Sequence, residues 1–393
     1  MVGGGRKTGI GLMAGPLEGI GVVEIAGLGP APFGAMVLAD LGADVVVVDR
    51  VDQAVGATPE TAKGNVYGRG RRSIAVDLKS TDGVETVRRL TDRADVFIEG
   101  FRPGVMERLG LGPDVLCGRN ERLVYARMTG WGQDGPLAER AGHDINYLGL
   151  AGPLAHIGRA DQPPTPPLNL VADFGGGGMV LALGVCAALV ERSGSQRGQV
   201  IDAAMVDGVA MLSAPIAPAY IDGYFNEARG TNWLDSGAHY YDVYQTADGR
   251  WISIGAIEAK FYANLLDALG LADEDLPDQN DQTHWPEMKE RFAVIFRTRT
   301  RDEWEARLGQ LDVCFAPVLP FGDAATHPHL TARGTYVEVD GVTQPAPAPR
   351  FDRTPAALGR PPAPAGHHTD EVLLGHGFGP DEVAALHRAG AVA

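Results

Sequence analysis

The chain has 393 residues, 45% hydrophobic and 21% charged, a composition that excludes disordered, collagenous and fibrous proteins. With 34 basic against 50 acidic side chains, the formal net charge is −16, which excludes a general nucleic-acid binder, whose surface needs a basic surplus. The longest apolar run, Met179–Val190, contains Gly184 and falls short of the roughly 20 residues of a membrane span, so no membrane span is expected.

Residues 1–12 carry Arg6 and Lys7 without an apolar core behind them; they are expected to be a flexible extension rather than a secretory signal. Gly21–Ala26 predicts a buried strand, Gly27–Gly34 a Gly/Pro turn, Ala35–Leu41 a helix and Asp44–Asp49 a second strand. Strand, helix and a continuously apolar second strand predict a parallel βαβ unit. Helices are expected at Asp82–Thr91 and Pro113–Leu116, and strands at Val96–Glu99 and Leu123–Met128. Asp173, ahead of Gly175–Gly178 and an apolar stretch reaching Arg192, has the form of a helix N-cap. Tyr241–Thr246 and Trp251–Gly255 flank an Asp248-Gly249 turn, the signature of a hairpin. Seven prolines between Pro345 and Pro364 predict an extended wrap, followed by a helical tail, Thr369–Ala393. The expected organisation is α/β: a Rossmann-like parallel-sheet large domain over 13–205, completed by 335–393, and a smaller α+β domain over 225–325. Cys117, Cys186 and Cys314 are dispersed and odd in number, which fits a reducing, cytoplasmic setting without disulfides; Cys186 is expected to be a buried thiol.

Four features bear on chemistry. Gly27-x-Gly29 after the first strand, with Asp49 ending the second, suggests a dinucleotide fingerprint, but Pro32 stands where the third glycine belongs; a plain βαβ turn is the better reading. Arg50, the trio Arg69, Arg71 and Arg72, then Lys79, Arg102 and Arg108 are expected at the C-terminal edge of the sheet, where open α/β sheets bind ligands. Guanidinium groups there suit phosphates, so a nucleotide or coenzyme A is the expected ligand class. His143-Asp144 carries little information alone, since adjacent helical residues do not face each other. Asp173 reads equally as a helix cap or as a base or nucleophile beside backbone N–H donors.

Arg127-Met-Thr-Gly-Trp-Gly-Gln-Asp-Gly-Pro136, Ala141-Gly-His-Asp-Ile-Asn-Tyr147 and Pro167-Leu-Asn-Leu-Val-Ala-Asp-Phe-Gly175, with Glu99–Gly112 and Gly255-Ala-Ile-Glu258, closely resemble the α-methylacyl-CoA racemases of the family III CoA-transferase superfamily. The resemblance runs from Met13 to about Pro355. It implies an interlocked homodimer, with the site between the large domain of one chain and the small domain of the other. It implies His143 and Asp173 as the two acid/base residues, supported by Asp144, Asn169 and Glu258. Contacts to CoA or the acyl thioester are implied for Arg50, Val76, Asp77, Leu78, Lys79, Gly100, Phe101, Arg102, Arg108, Gly142, Ile145, Asn146 and Tyr147. The substrate is then an acyl-CoA, with no cofactor and no metal. Trp233 and Tyr240 are candidates for the acyl pocket.

The residue types suit the implied reaction. Inverting a carbon next to a thioester removes a proton from one face and returns one to the other, which needs two acid/base groups. Histidine, with a pKa of about 6.5, serves in both directions. An isolated aspartate at about 3.9 is a poor acid at neutral pH, and a neighbouring carboxylate such as Glu258 would raise it. The enolate oxygen needs donors, from amides near His143–Asp144 or at the glycine-rich helix start. The alternative within the fold is a CoA-transferase with Asp173 as nucleophile; His143 and Glu258 favour the racemase. A non-catalytic CoA- or lipid-binding protein is the alternative of a different class.

Overall fold

The computed structural model describes residues 15–393; the expected extension at 1–12 lies outside them. Two compact units emerge. The first comprises the chain up to Tyr147, Asn169–Val209 and Gly334–Ala393; the second comprises Leu148–Leu168 and Ala210–Arg333. The excursion through 148–168 had no counterpart in the sequence reading.

Six strands build the first unit: β1 (Gly21–Ile25), β2 (Asp44–Arg50), β3 (Arg71–Val76), β4 (Val96–Glu99), β5 (Val124–Thr129) and β6 (Val200–Ala204). All pair in parallel, in the order β3-β2-β1-β4-β5-β6. This is the doubly wound order, in which the connections after β1 and β4 leave in opposite directions. The run of valines in β2 is explained by burial on both faces of the sheet. On one face Val23, Val46, Ile74, Phe97 and Tyr125 pack against Val87, Leu90 and Leu116, and against Val372, Leu373 and Val383 from the C-terminal helices Thr369–Gly375 and Pro380–Arg388.

Two boundaries differ from expectation for definable reasons. The first helix spans Pro30–Asp40, starting inside the expected turn; proline at its first position needs no N–H partner and has a helical φ already. Asp173 is not an N-cap. Asn169 takes that position, and Asp173 lies within a π-helical segment, Leu170–Met179, that runs on into the helix Val180–Ser195. The continuous helix Leu170–Ser195 is, against expectation, long and apolar enough to cross a membrane; in this fold it packs on the helix Pro30–Asp40 and on β5 and β6. Cys186 within it is only partly buried.

In the second unit, β7 (Tyr241–Gln245) and β8 (Trp251–Gly255) form the expected antiparallel hairpin, and β9 (Phe315–Pro317) adds to β8. Helices Ala259–Leu269, Trp285–Phe296 and Arg301–Leu308 bring Leu265, Phe292, Phe296 and Trp304 against Ile252 and Ile254. Tyr240 belongs to this core, with its hydroxyl donating to Asn280, so it does not line an open acyl pocket. The proline-rich stretch begins as the end of a hairpin, β10 (Tyr336–Val339) with β11 (Val342–Pro345), before the chain crosses irregularly to His368.

Candidate active site

The topology fixes where a ligand can enter. Between β1 and β4 the loops Ala26–Gly29 and Gly100–Pro103 diverge, leaving a crevice at the carboxyl ends of the strands. A cleft of about 560 Å³ lies there, lined by Leu28, Gly29, Gly100, Phe101, Arg102, Thr129, Trp131, Arg140, Gly142, His143, Tyr147, Asn169 and Asp173 among others. His143, Asn169, Asp173, Gly100, Phe101, Arg102, Gly142 and Tyr147 are thus brought together from three chain segments. A cavity of similar size in the second unit, about 600 Å³, is lined by His156, Arg159, Asp242 and Cys314. Its Arg159 and Asp242 are paired with each other at 2.5 Å, and it holds none of the expected acid/base residues.

Asp144 is the buried support of the cleft. Its Oδ2 accepts the backbone N–H groups of Ala172 and Asp173 at 2.7 and 2.8 Å, satisfying two donors at the start of a helix whose own cap residue supplies none. Asn169 Nδ2 donates to Asp173 Oδ2 at 3.1 Å. Burial pushes the Asp173 carboxyl above its ordinary value; the Asn169 hydrogen bond opposes this, Asp144 adds to it, and His143 opposes it. The carboxylate acting on Asp173 within this unit is therefore Asp144, where Glu258 had been expected. Glu258 is an exposed residue of the second unit, at the N-cap position of Ala259–Leu269 without a side-chain cap bond.

His143 precedes the helix Asp144–Leu150; its N–H donates to the Asn146 side chain at 3.0 Å and its carbonyl accepts from the Asn146 N–H at 2.8 Å. Asn146 thus orients His143 through the backbone. Its imidazole is exposed on the cleft. Tyr147 is buried, edge-on to Trp131 with ring centroids 4.7 Å apart. A side chain at Gly130 or Gly142 would strike its ring, at 2.2 and 2.7 Å, which accounts for two glycines of the quoted motifs. Burial and the nearby Asp173 charge push the Tyr147 hydroxyl up to about 12, with Arg102 opposing. Ile145 is exposed beside them.

The basic cluster divides. Arg50, Lys79, Arg102 and Arg108 follow the ends of β2, β3 and β4, as expected. Arg50 is paired with Asp52 on the surface; Lys79, Arg102 and Arg108 make no ion pair among the described residues. Arg69, Arg71 and Arg72 precede or open β3, at the opposite edge, and are consumed internally. Arg69 binds Asp40 and Gln344, Arg71 binds the buried Glu24, and Arg72 binds Asp44. Val76 is 1% exposed and its side chain lies in the core, so any ligand contact there is through the backbone. Asp77 and Leu78 are partly exposed in the turn that follows, where Asp77 Oδ1 accepts the Lys79 N–H.

Sequence reasoning missed Leu28, Gly29 and Pro30 as cleft walls. The available signal was the Gly27-Leu-Gly29-Pro turn, set aside once its nucleotide fingerprint failed. Thr129, Trp131, Arg140 and Met205 were also missed; Trp131 lay inside a quoted motif without a role.

Residues 17–369 match the family described as CoA-transferase family III. The chain is 49% identical to mouse α-methylacyl-CoA racemase over 374 residues, covering 94% of this chain and 96% of that one. The human α-methylacyl-CoA racemase is 46% identical over 94% of this chain and 96% of its own. A CAIB/BAIF family protein from Brucella suis superposes with a TM-score of 0.78 at 27% identity, over 92% of this chain and all of the other. With a match across most of its length and the doubly wound sheet underneath, the chain belongs to CoA-transferase family III.

Proposed function

We propose that this chain is a racemase interconverting the (2R) and (2S) epimers of 2-methylacyl-CoA thioesters by 1,1-proton transfer through an enolate. The observation that carries this reading is that His143 and Asp173, from separate segments, line one cleft at the switch point of the sheet. The names of the mouse and human relatives support it.

In one direction neutral His143 takes the α-proton. The C–H electron pair moves into the thioester carbonyl as an enolate, and protonated Asp173 returns a proton to the α-carbon from the other face. In the other direction the roles reverse. Burial, and behind it the Asp144 charge, raise the Asp173 carboxyl, which makes it a better proton donor than an isolated aspartic acid. The N–H groups of Ala172 and Asp173 are occupied by Asp144 and that of His143 by Asn146, so the amides of Asp144 and Ile145 at the start of the next helix are the better donors to the enolate oxygen. Arg102, Arg108, Lys79 and Arg50 suit the phosphates of CoA. Because the thioester is never cleaved, the reaction needs no cofactor beyond the acyl-CoA itself. The functional assembly we take to be an interlocked homodimer, cytoplasmic, with Glu258 contributed across it. Co-expressed His143→Ala and Glu258→Gln chains would then regain activity in mixed dimers that neither variant has alone.

The deciding experiment incubates one epimer of 2-methyldecanoyl-CoA in heavy water without an acceptor acid. Gain of one deuteron at the α-carbon with loss of stereochemical purity is the expected result. A bound substrate that keeps its α-proton, with CoA instead passing to an added carboxylic acid in an Asp173-dependent reaction, would show a CoA-transferase.

A further inference from the structure

One buried guanidinium joins the two segments whose arginines suit the phosphates of CoA. Glu99 ends β4, and Arg127 lies opposite it in β5. Both are buried, as such side chains are only when paired. Here every nitrogen and oxygen of the pair is engaged. Glu99 Oε1 accepts the Arg127 Nε–H at 2.9 Å, and Glu99 Oε2 accepts the Phe101 N–H at 2.7 Å. The outer nitrogens of Arg127 reach Glu107, Nη1 at 2.8 Å from Oε1 and Nη2 at 3.3 Å from Oε2. Phe101 belongs to the loop that brings Arg102 to the cleft wall, and Glu107 to the short helix Val105–Arg108. Gly104, at φ 79°, turns the chain between them. Arg127 is itself absent from the cleft wall.

We infer that Arg127 is a positioning residue for acyl-CoA binding. It touches no substrate and fixes, through Glu99 and Glu107, the loop that presents Arg102 and the helix that presents Arg108. The inference rests on the reading of those two arginines as CoA contacts. Three nitrogens spread over two carboxylates is a geometry that the planar fork of arginine supplies and the single ammonium of lysine does not. The clamp also keeps both acids engaged, so that neither competes with phosphate for Arg102 or for Arg108, the neighbour of Glu107. A second buried arginine offers a comparison at the other end of the same two strands. Arg192 donates to the Asp95 side chain at 2.7 Å and to the Arg122 carbonyl at 2.9 Å, residues just ahead of β4 and β5 and away from the ligand edge.

The test measures α-proton exchange with 2-methyldecanoyl-CoA, and Kd for CoA by calorimetry, in the wild type, Arg127→Lys, Glu107→Gln and Arg192→Lys. Arg127→Lys keeps the charge and loses the fork. It should raise KM and Kd roughly tenfold with kcat within about twofold, inside the ~10²-fold that a displacement of about 1 Å can cost. Glu107→Gln, whose side chain is 43% exposed, should raise both about threefold. Arg192→Lys should lower the melting temperature and leave KM unchanged. This split separates positioning from general loosening, which shrinks the active fraction and so lowers kcat alone. Unchanged KM and Kd in Arg127→Lys would overturn the inference. If Arg127→Lys fails to fold, unchanged values in Glu107→Gln overturn it by themselves. A wild type that binds CoA but leaves the α-proton in place would remove the racemase reading instead, and the clamp is then judged on Kd by the same tenfold criterion.

Discussion

At Asp144, one carboxylate oxygen does two separable things. It accepts two amides at the start of the helix that carries Asp173, and its charge raises the Asp173 carboxyl. Asp144→Ala removes both and should destabilise the protein by about 1–2 kcal/mol, the scale of a lost helix cap. Asp144→Asn keeps a carbonyl acceptor and removes only the charge. Since a neighbouring negative charge disfavours ionisation, its loss lowers the Asp173 pKa, and the acidic limb of the kcat profile should move to lower pH. An unmoved limb would mean that Asp144 acts on Asp173 through position alone. Asp173 itself sets activity against stability. Its folded-state pKa is raised, so its contribution to stability is full below the unfolded value and is lost as pH rises through the folded one. Asp173→Asn should therefore lose roughly 10²–10⁴ in epimerisation rate yet melt higher than the wild type at pH 7, with the gap narrowing as pH falls toward the unfolded-state pKa. A lower melting temperature at pH 7 would contradict the burial argument.

The glycine-rich element shows what the sequence exposes and what it hides. Gly176, Gly177 and Gly178 are all buried. A Cβ at Gly178 would lie 2.6 Å from the Phe33 ring and 2.7 Å from the Pro30 carbonyl, and one at Gly208 would lie 1.8 Å from the Gly176 carbonyl. These glycines let neighbouring backbones approach the π-helical segment that presents Asp173. Gly208→Ala should cost about 1–3 kcal/mol by overpacking, and it should slow exchange because the segment must shift. Gly194→Ala, where an added Cβ meets nothing within 4 Å, should stabilise the same helix by about 0.5–1 kcal/mol; thermal unfolding of the two variants checks both signs. Elements with a clear period or an unbroken apolar run, such as β2 and the β7–β8 hairpin, were legible because local burial decides them. Arg69, Arg71 and Arg72 were grouped with Lys79 at the ligand edge because no local signal marks where β3 begins, and residues that precede or open a strand lie at its other end. The strand starts at Arg71, whose charge is tolerated by pairing with Glu24, a partner far away in sequence. The cap from Asp144 to Ala172 is equally nonlocal, and no spacing rule reports it. His143 and Asp173 were singled out as acid/base candidates through motif resemblance, since neither stands out by residue type.

Across the whole chain, the first unit is closed by its C-terminus. β3 is an edge strand of the sheet, and an unpaired edge invites aggregation or slippage. Here the tail covers it: Asp77 N–H donates to Ala391 at 2.9 Å, Ala393 N–H donates to Ala75 at 3.1 Å, and Val76 bridges Val392. Thr369 Oγ1 ties the two together, accepting from the Ala75 N–H at 3.2 Å and donating to the Ala393 carbonyl at 2.6 Å. Ala391 and Val392 are buried. Deleting Gly390–Ala393 removes the buried Ala391 and Val392, uncovers Val76 and breaks these bonds, a loss on the order of 3–5 kcal/mol. Thr369→Val breaks only the side-chain bonds to Ala75, Gly366 and Ala393 while keeping the volume, and should cost about 1–2 kcal/mol. Urea unfolding should therefore rank the wild type above Thr369→Val and both above the truncated chain. The tail also borders Asp77–Lys79, the segment expected to meet CoA. Truncation should consequently raise KM for acyl-CoA more than it lowers kcat, because His143 and Asp173, the proposed acid/base pair, line the β1/β4 crevice and not this edge. A fall in kcat at unchanged KM would show instead that the C-terminus holds the acid/base pair rather than the CoA segment.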